Sequence, residues 1–237
     1  MAYALVGTPA AATQGSSGAS VTPTWGTGLN RTAPNLLSCF VSVQGSATLP
    51  TTPSGWSIAK QIAGTSCSAT IYYKIAAGSD TAPTINAITS GVIAAQLMEF
   101  SGNATTSPLD QTGTATGTTS PITSTQSVAD VQSGELLLMC GSDFRSTARS
   151  PNDTWTSNNG TVTAGGNNNG TSSVNHYSFG YILGTTSNAS GDTAIMTLSV
   201  TTSITGLAVA SSSFLLPPIV FPDLIQMPLQ PQPSPFR

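Results

Sequence analysis

Glycine or proline interrupts nearly every window of a dozen residues in this 237-residue chain, and the residues between the interruptions are mostly β-branched or small. A helix interior loses about 1 kcal/mol at each glycine and about 3 kcal/mol at each proline relative to alanine. No amphipathic helix of ordinary length survives that spacing. What remains is a series of short runs with strand character, separated by the Gly, Pro, Ser and Asp that hairpin and sandwich turns require. The fold class is all-β.

The runs form two sets in the same order. The first is 19–25 (ASVTPTW), 35–43 (NLLSCFVSV), 55–63 (GWSIAKQIA), 68–76 (SATIYYKIA), 82–88 (APTINAI) and 91–100 (GVIAAQLMEF). The second is 121–127 (PITSTQS), 135–144 (ELLLMCGSDF), 154–163 (TWTSNNGTVT), 174–183 (VNHYSFGYIL), 192–200 (DTAIMTLSV) and 204–215 (ITGLAVASSSFL). Leu36 and Leu137 lie 101 residues apart, and Trp56 and Trp155 lie 99 apart, which reads as an internal duplication.

The expected architecture is an antiparallel β-sandwich, jelly-roll or Ig-like, built from two pseudo-repeats of about 100 residues. Its divisions are an N-terminal arm (1–18), repeat 1 (19–102), a polar, Thr-rich linker or crossover (103–120), repeat 2 (121–215) and a Pro-rich C-terminal arm (216–237). Either each half closes as its own sandwich or both share one. Alternation in LLSCFVSV puts Leu37, Cys39, Val41 and Val43 on one face, the expected core face, and Leu36, Ser38, Phe40 and Ser42 on the other.

Charge is scarce. Six Lys/Arg and nine Asp/Glu leave no basic stripe to displace counterions, so nucleic acid is not an expected partner. No run reaches the roughly 18 apolar residues of a membrane span, and the first twenty residues lack the charged and apolar regions of a secretory signal. Ser, Thr, Asn and Gly supply the polar surface, which repels weakly and suits association, including self-association. Three cysteines, Cys39, Cys67 and Cys140, give neither a disulfide framework nor a zinc pattern, and they read as buried thiols with a Cys39–Cys67 bridge left open.

The residues offer little to catalysis. His176 is the one histidine, no G-x-S-x-G elbow frames a serine, and no metal-ligand spacing occurs, so no enzyme activity, cofactor or metal is expected. The loop 142–153 carries Asp143, Arg145, Arg149 and Asp153, which reads as a solvated, self-paired hairpin or a contact to a neighbouring subunit. Trp56 and Tyr73 are candidates for stacking on a surface glycan.

The succession NLLSCFVSV, TPSGW, TIYYKIAAGS, VIAAQLMEFSG, SPLDQTGTATG and GELLLMC resembles a β-sandwich module of tailed-bacteriophage virion proteins, of the minor tail or capsid-associated kind, also found in bacterial surface proteins. The resemblance spans roughly 19–215. The second half departs from it where GW becomes TW, YYK becomes YSFGY and EFSG becomes SSSFL. It implies a structural or adhesive role on the virion exterior, assembled in the host cytoplasm: capsid decoration, cement or head fibre, or a tail-exterior protein. The alternative is a carbohydrate-binding adhesion module.

The last stretch, LLPPIVFPDLIQMPLQPQPSPFR, explains how such a body would be held. Proline favours extended geometry and lacks a donor, so a proline-rich strap loses little entropy on docking. Ile219, Val220, Phe221, Leu224, Ile225, Met227, Leu229 and Phe236 are the expected partner-binding side chains, facing capsid or tail subunits. Burying half of roughly 1,000 Å² of apolar strap would yield about 12 kcal/mol before ordering costs.

Overall fold

The structure is a computed structural model that describes residues 2–86, 88, 90–145, 153–167, 176–186, 190–199 and 204–218. The expected partner-binding side chains from Ile219 to Phe236, and Arg149, lie outside the described residues.

The first half holds β1 (Ala4–Leu5), β2 (Thr13–Gly15), β3 (Leu36–Gln44), β4 (Ser57–Ala63), β5 (Cys67–Ile75) and β6 (Val92–Ser101). The second holds β7 (Leu109–Gly117), β8 (Ile122–Gln126), β9 (Leu136–Arg145), β10 (Thr154–Thr156), β11 (Thr163–Asn167), β12 (His176–Leu183), β13 (Thr193–Thr197) and β14 (Ile204–Phe214). Each half makes one antiparallel sheet. The first runs β1-β6-β3-β5-β4 with β2 also on β6, and the second runs β10-β13-β8-β7-β14-β9-β12-β11. The order β6-β3-β5-β4 in one sheet is matched by β14-β9-β12-β11 in the other.

The N-terminal arm and the linker both turn out to form strands, the arm along β6 and the linker inside the second sheet between β8 and β14. β1 and β2 lie along β6, from Ala4 opposite Ser101 to Gly15 opposite Ile93. β7, inside the expected linker 103–120, lies along β14 from Leu109 opposite Phe214 to Gly117 opposite Leu207. Threonine suits a half-buried pleat, and β14 presents a polar row to its surroundings: Gln111 N–H donates to Ser213 Oγ, and Ser124 and Ser211 share a hydrogen bond of 3.0 Å. A polar strand was needed there, so a polar segment was no sign of a linker. Conversely, 19–25 and 82–88 contribute only the single bridge between Val21 and Ile85, and 154–163 divides into β10 and the start of β11.

The two sheets pack face to face, so the halves share a core. β3 is buried along its whole length, on both of its faces. Its even face, with Leu36 and Phe40, joins Ile71, Met98 and Phe100 of the first sheet to Leu138, Phe179, Tyr181 and Phe214 of the second. Ring pairs cross the interface: Phe40 with Phe179 at 5.4 Å, Phe100 with Tyr181 at 5.4 Å and Tyr73 with Phe214 at 5.3 Å. The odd face, with Leu37, Cys39, Val41 and Val43, packs under Val21, Trp56, Ile85 and Ile88 from the connections. Both face sets are therefore core.

The outer face of the second sheet is covered by the sheet itself, because β10 and β13 fold back over β9 and β12. Trp155 Nε1 donates to Ser178 Oγ at 2.6 Å, and a side chain at Gly141 would collide with the Met196 sulfur. Cys39 lies on the outer face of the first sheet and Cys67 on the inner, and all three cysteines are buried and free, so no Cys39–Cys67 bridge forms. Burial pushes their thiols up, which makes them small hydrophobes.

Candidate functional site

The residues singled out in the sequence do not converge. Trp56 sits in the outer core at 7 % exposure, its ring under the Lys74 ammonium at 5.9 Å, and only its edge reaches a shallow cleft lined by Pro53, Ser54 and Pro83. Lys74 also pairs with Asp80; burial opposes that carboxylate's charge, but the ammonium and the Ala77 and Gly78 N–H groups outweigh it and hold Asp80 below the usual range. Tyr73 points to the opposite face of β5, edge-on to Phe214 in the shared core. Side chains on opposite faces of one sheet do not make one stacking platform.

The charged loop 142–153 is also different from its sequence reading. Asp143 and Arg145 are in β9, each about 1 % exposed, and bond to each other at 2.7 Å through Arg145 Nε. Gln44 Nε2 of the first half donates to the carbonyls of Asp143 and His176, tying the pair into the sheet-to-sheet contact. Asp153 is buried too, and its Oδ1 accepts the Ser199 N–H at 3.1 Å. These charges are consumed inside the fold rather than offered to a neighbour, because β9 continues into the segment that looked like a turn. His176 is fully buried.

What the fold does bring together is a group of carboxylates with no common motif. Asp110 of β7, Asp130 of the β8–β9 connection and Glu135 at the end of that connection place an oxygen each within 4.8 Å of one another. Asp192, just before β13, brings a fourth carboxylate into hydrogen-bonding range of Asp130. The surrounding bonds fix the group: Asp110 Oδ2 accepts the Val131 N–H, Glu135 Oε1 accepts the Gln132 N–H, and Asn159 Nδ2 donates to both Asp130 and Asp192. Among the described residues the salt bridges are Lys74–Asp80 and Arg145–Asp143, so no cation of the chain described here neutralises the four.

The electrostatics follow from that. Burial, reinforced by the charges of Asp192 and Asp110, pushes Asp130 up to about 7. Burial pushes Glu135 up to about 8, against the Gln132 N–H and with the charges of Asp110 and Asp130. Asp192 is raised by burial as well. Sequence reasoning missed this site because its members span 82 positions on three separate segments. The only sequence trace is that a chain poor in carboxylates gathers four of its nine here.

The cluster adjoins the residues that follow β14. The Leu215 carbonyl accepts from Tyr3 Oη at 2.7 Å and from the Ala104 N–H at 2.8 Å, while the Leu215 N–H donates to the Pro108 carbonyl at 2.7 Å. Gln132, held by Glu135, reaches over to donate its side-chain amide to the Leu216 carbonyl at 3.1 Å. Three segments, the N-terminal one, the β6–β7 connection and the β8–β9 connection, thus fix Leu215 and Leu216. Compared with known proteins, the chain matches no family model, no curated protein and no solved structure.

Proposed function

We propose that this protein is a non-enzymatic structural component of the exterior of a tailed-phage particle, a decoration, head-fibre or tail-exterior protein fastened to neighbouring subunits by the chain that follows Leu216. The observation that carries the reading is the pinning of the residues that follow β14. Hydrogen bonds donated by Tyr3, Ala104 and Gln132, and one accepted by the Pro108 carbonyl, hold Leu215 and Leu216 at one place on the sandwich, immediately before a run of prolines and large apolar side chains.

An anchoring strap works best from such a point, because a fixed origin removes conformational freedom that docking would otherwise have to remove. The body suits a display role as well. Its charged side chains largely pair or bond internally, leaving a surface of Ser, Thr, Asn and Gly. The two halves, with their common strand order, are read here as pseudo-repeats that close on each other as one unit. The virion, phage and partner terms rest on the sequence resemblance.

The test is a chain ending at Leu216. Its body should melt like the full chain, and its occupancy on particles examined by cryo-electron microscopy should fall by at least tenfold. Undiminished occupancy refutes the strap. Loss of binding after treatment of the target with glycosidases, with the strap irrelevant, would favour the carbohydrate-binding module instead.

A further inference from the structure

We propose that Asp110, Asp130, Glu135 and Asp192 bind a calcium ion. The first observation is the convergence of Asp110, Asp130 and Glu135, with one oxygen from each inside a sphere that a single cation spans. The second is independent of it. Asp192 arrives from the lead into β13, is fully buried, and presents an Oδ2 that meets no donor group and has only Asp130, another carboxylate, in hydrogen-bonding range. Asp130 Oδ1 is likewise shielded from solvent and meets no donor group, facing the Asp192 carboxylate instead.

Buried carboxylate oxygens without donors are costly, and protein interiors normally satisfy them. Two such carboxylates facing each other, Asp130 and Asp192, are accounted for together by one cation. The donor set is oxygen only, with neither imidazole nor thiolate near, which selects a hard ion over zinc or copper. Four carboxylates from three segments favour calcium over magnesium, because magnesium usually keeps most of its waters and takes only one or two carboxylates. Asn159, Val131, Gln132 and the Gln111 side-chain amide donate to oxygens of the group and orient the carboxylates. The positions span 110 to 192, so the ion would cross-link β7, both ends of the β8–β9 connection and the lead into β13.

The inference does not depend on the assembly reading and survives its failure. The experiment uses the full chain dialysed against EDTA, titrated with calcium chloride by calorimetry and melted with and without the ion. One site per chain is expected, with the melting temperature rising by about 5–10 °C at a hundredfold excess over the dissociation constant. Magnesium at the same concentration should give less than half that shift. Asp130→Asn and Asp192→Asn should each weaken calcium binding at least tenfold while leaving the ion-free melting temperature no lower, since each removes a repelling charge. The absence of heat and of any melting shift at millimolar calcium overturns the proposal. So does an undiminished response in both variants, which would place the ion elsewhere.

Discussion

Phe40 and Phe179 test whether the two halves form one folding unit. They belong to opposite sheets, both are fully buried, and their rings stack at 5.4 Å with planes 27° apart. Replacing either ring by leucine removes part of an aromatic face and leaves a small void, a loss of about 1–2 kcal/mol for each single variant. The ring–ring contact itself is worth about 0.5–1.5 kcal/mol beyond burial. Phe40→Leu and Phe179→Leu combined should therefore cost less than the sum of the singles by that amount. Urea unfolding followed by tryptophan fluorescence reads it, because Trp56 lies in one half and Trp155 in the other. The wild-type transition should be single. If the singles destabilise but their effects add to within about 0.3 kcal/mol, the residues sit in separate cores and the shared sandwich is refuted.

Asp143→Asn should cost about 3–5 kcal/mol, since it leaves the Arg145 guanidinium buried without its carboxylate, whereas a solvated surface pair would cost under about 1 kcal/mol; the urea midpoint separates the two. Removing calcium should make stability depend on pH. Glu135 and Asp130 hold their protons more tightly when folded than when unfolded, so their contribution is fully present below the unfolded carboxyl range near pH 4. It is lost as pH rises through about 7 for Asp130 and about 8 for Glu135. The EDTA-treated protein should melt at a lower temperature at pH 8.5 than at pH 5.5, and calcium should reduce that difference. A flat profile in EDTA would contradict the cluster's electrostatics.

The sequence by itself determined the class and much of the strand pattern. Interrupting Gly and Pro, together with β-branched runs, are local properties, and they located β3, β5, β6, β9, β12 and β14 to within a few residues. Alternation along 36–43 divided the side chains of β3 correctly between two faces, because that division depends only on the pleat. Which face was core could not be read in this way. Both Leu36/Phe40 and Leu37/Val41 are buried, one by the opposing sheet and the other by connections bearing Trp56 and Ile85.

Tertiary structure alone decided the rest. The Thr-rich 109–117 became β7 because β14 had an open edge with serines to satisfy, and Asp143 and Arg145 became interior because β9 runs on past the apparent turn. The carboxylates of Asp110, Asp130, Glu135 and Asp192 are remote along the chain and carry no spacing signal. Strand pairing brings them within a few ångströms, and proximity of that kind is a property of the folded arrangement rather than of any local stretch.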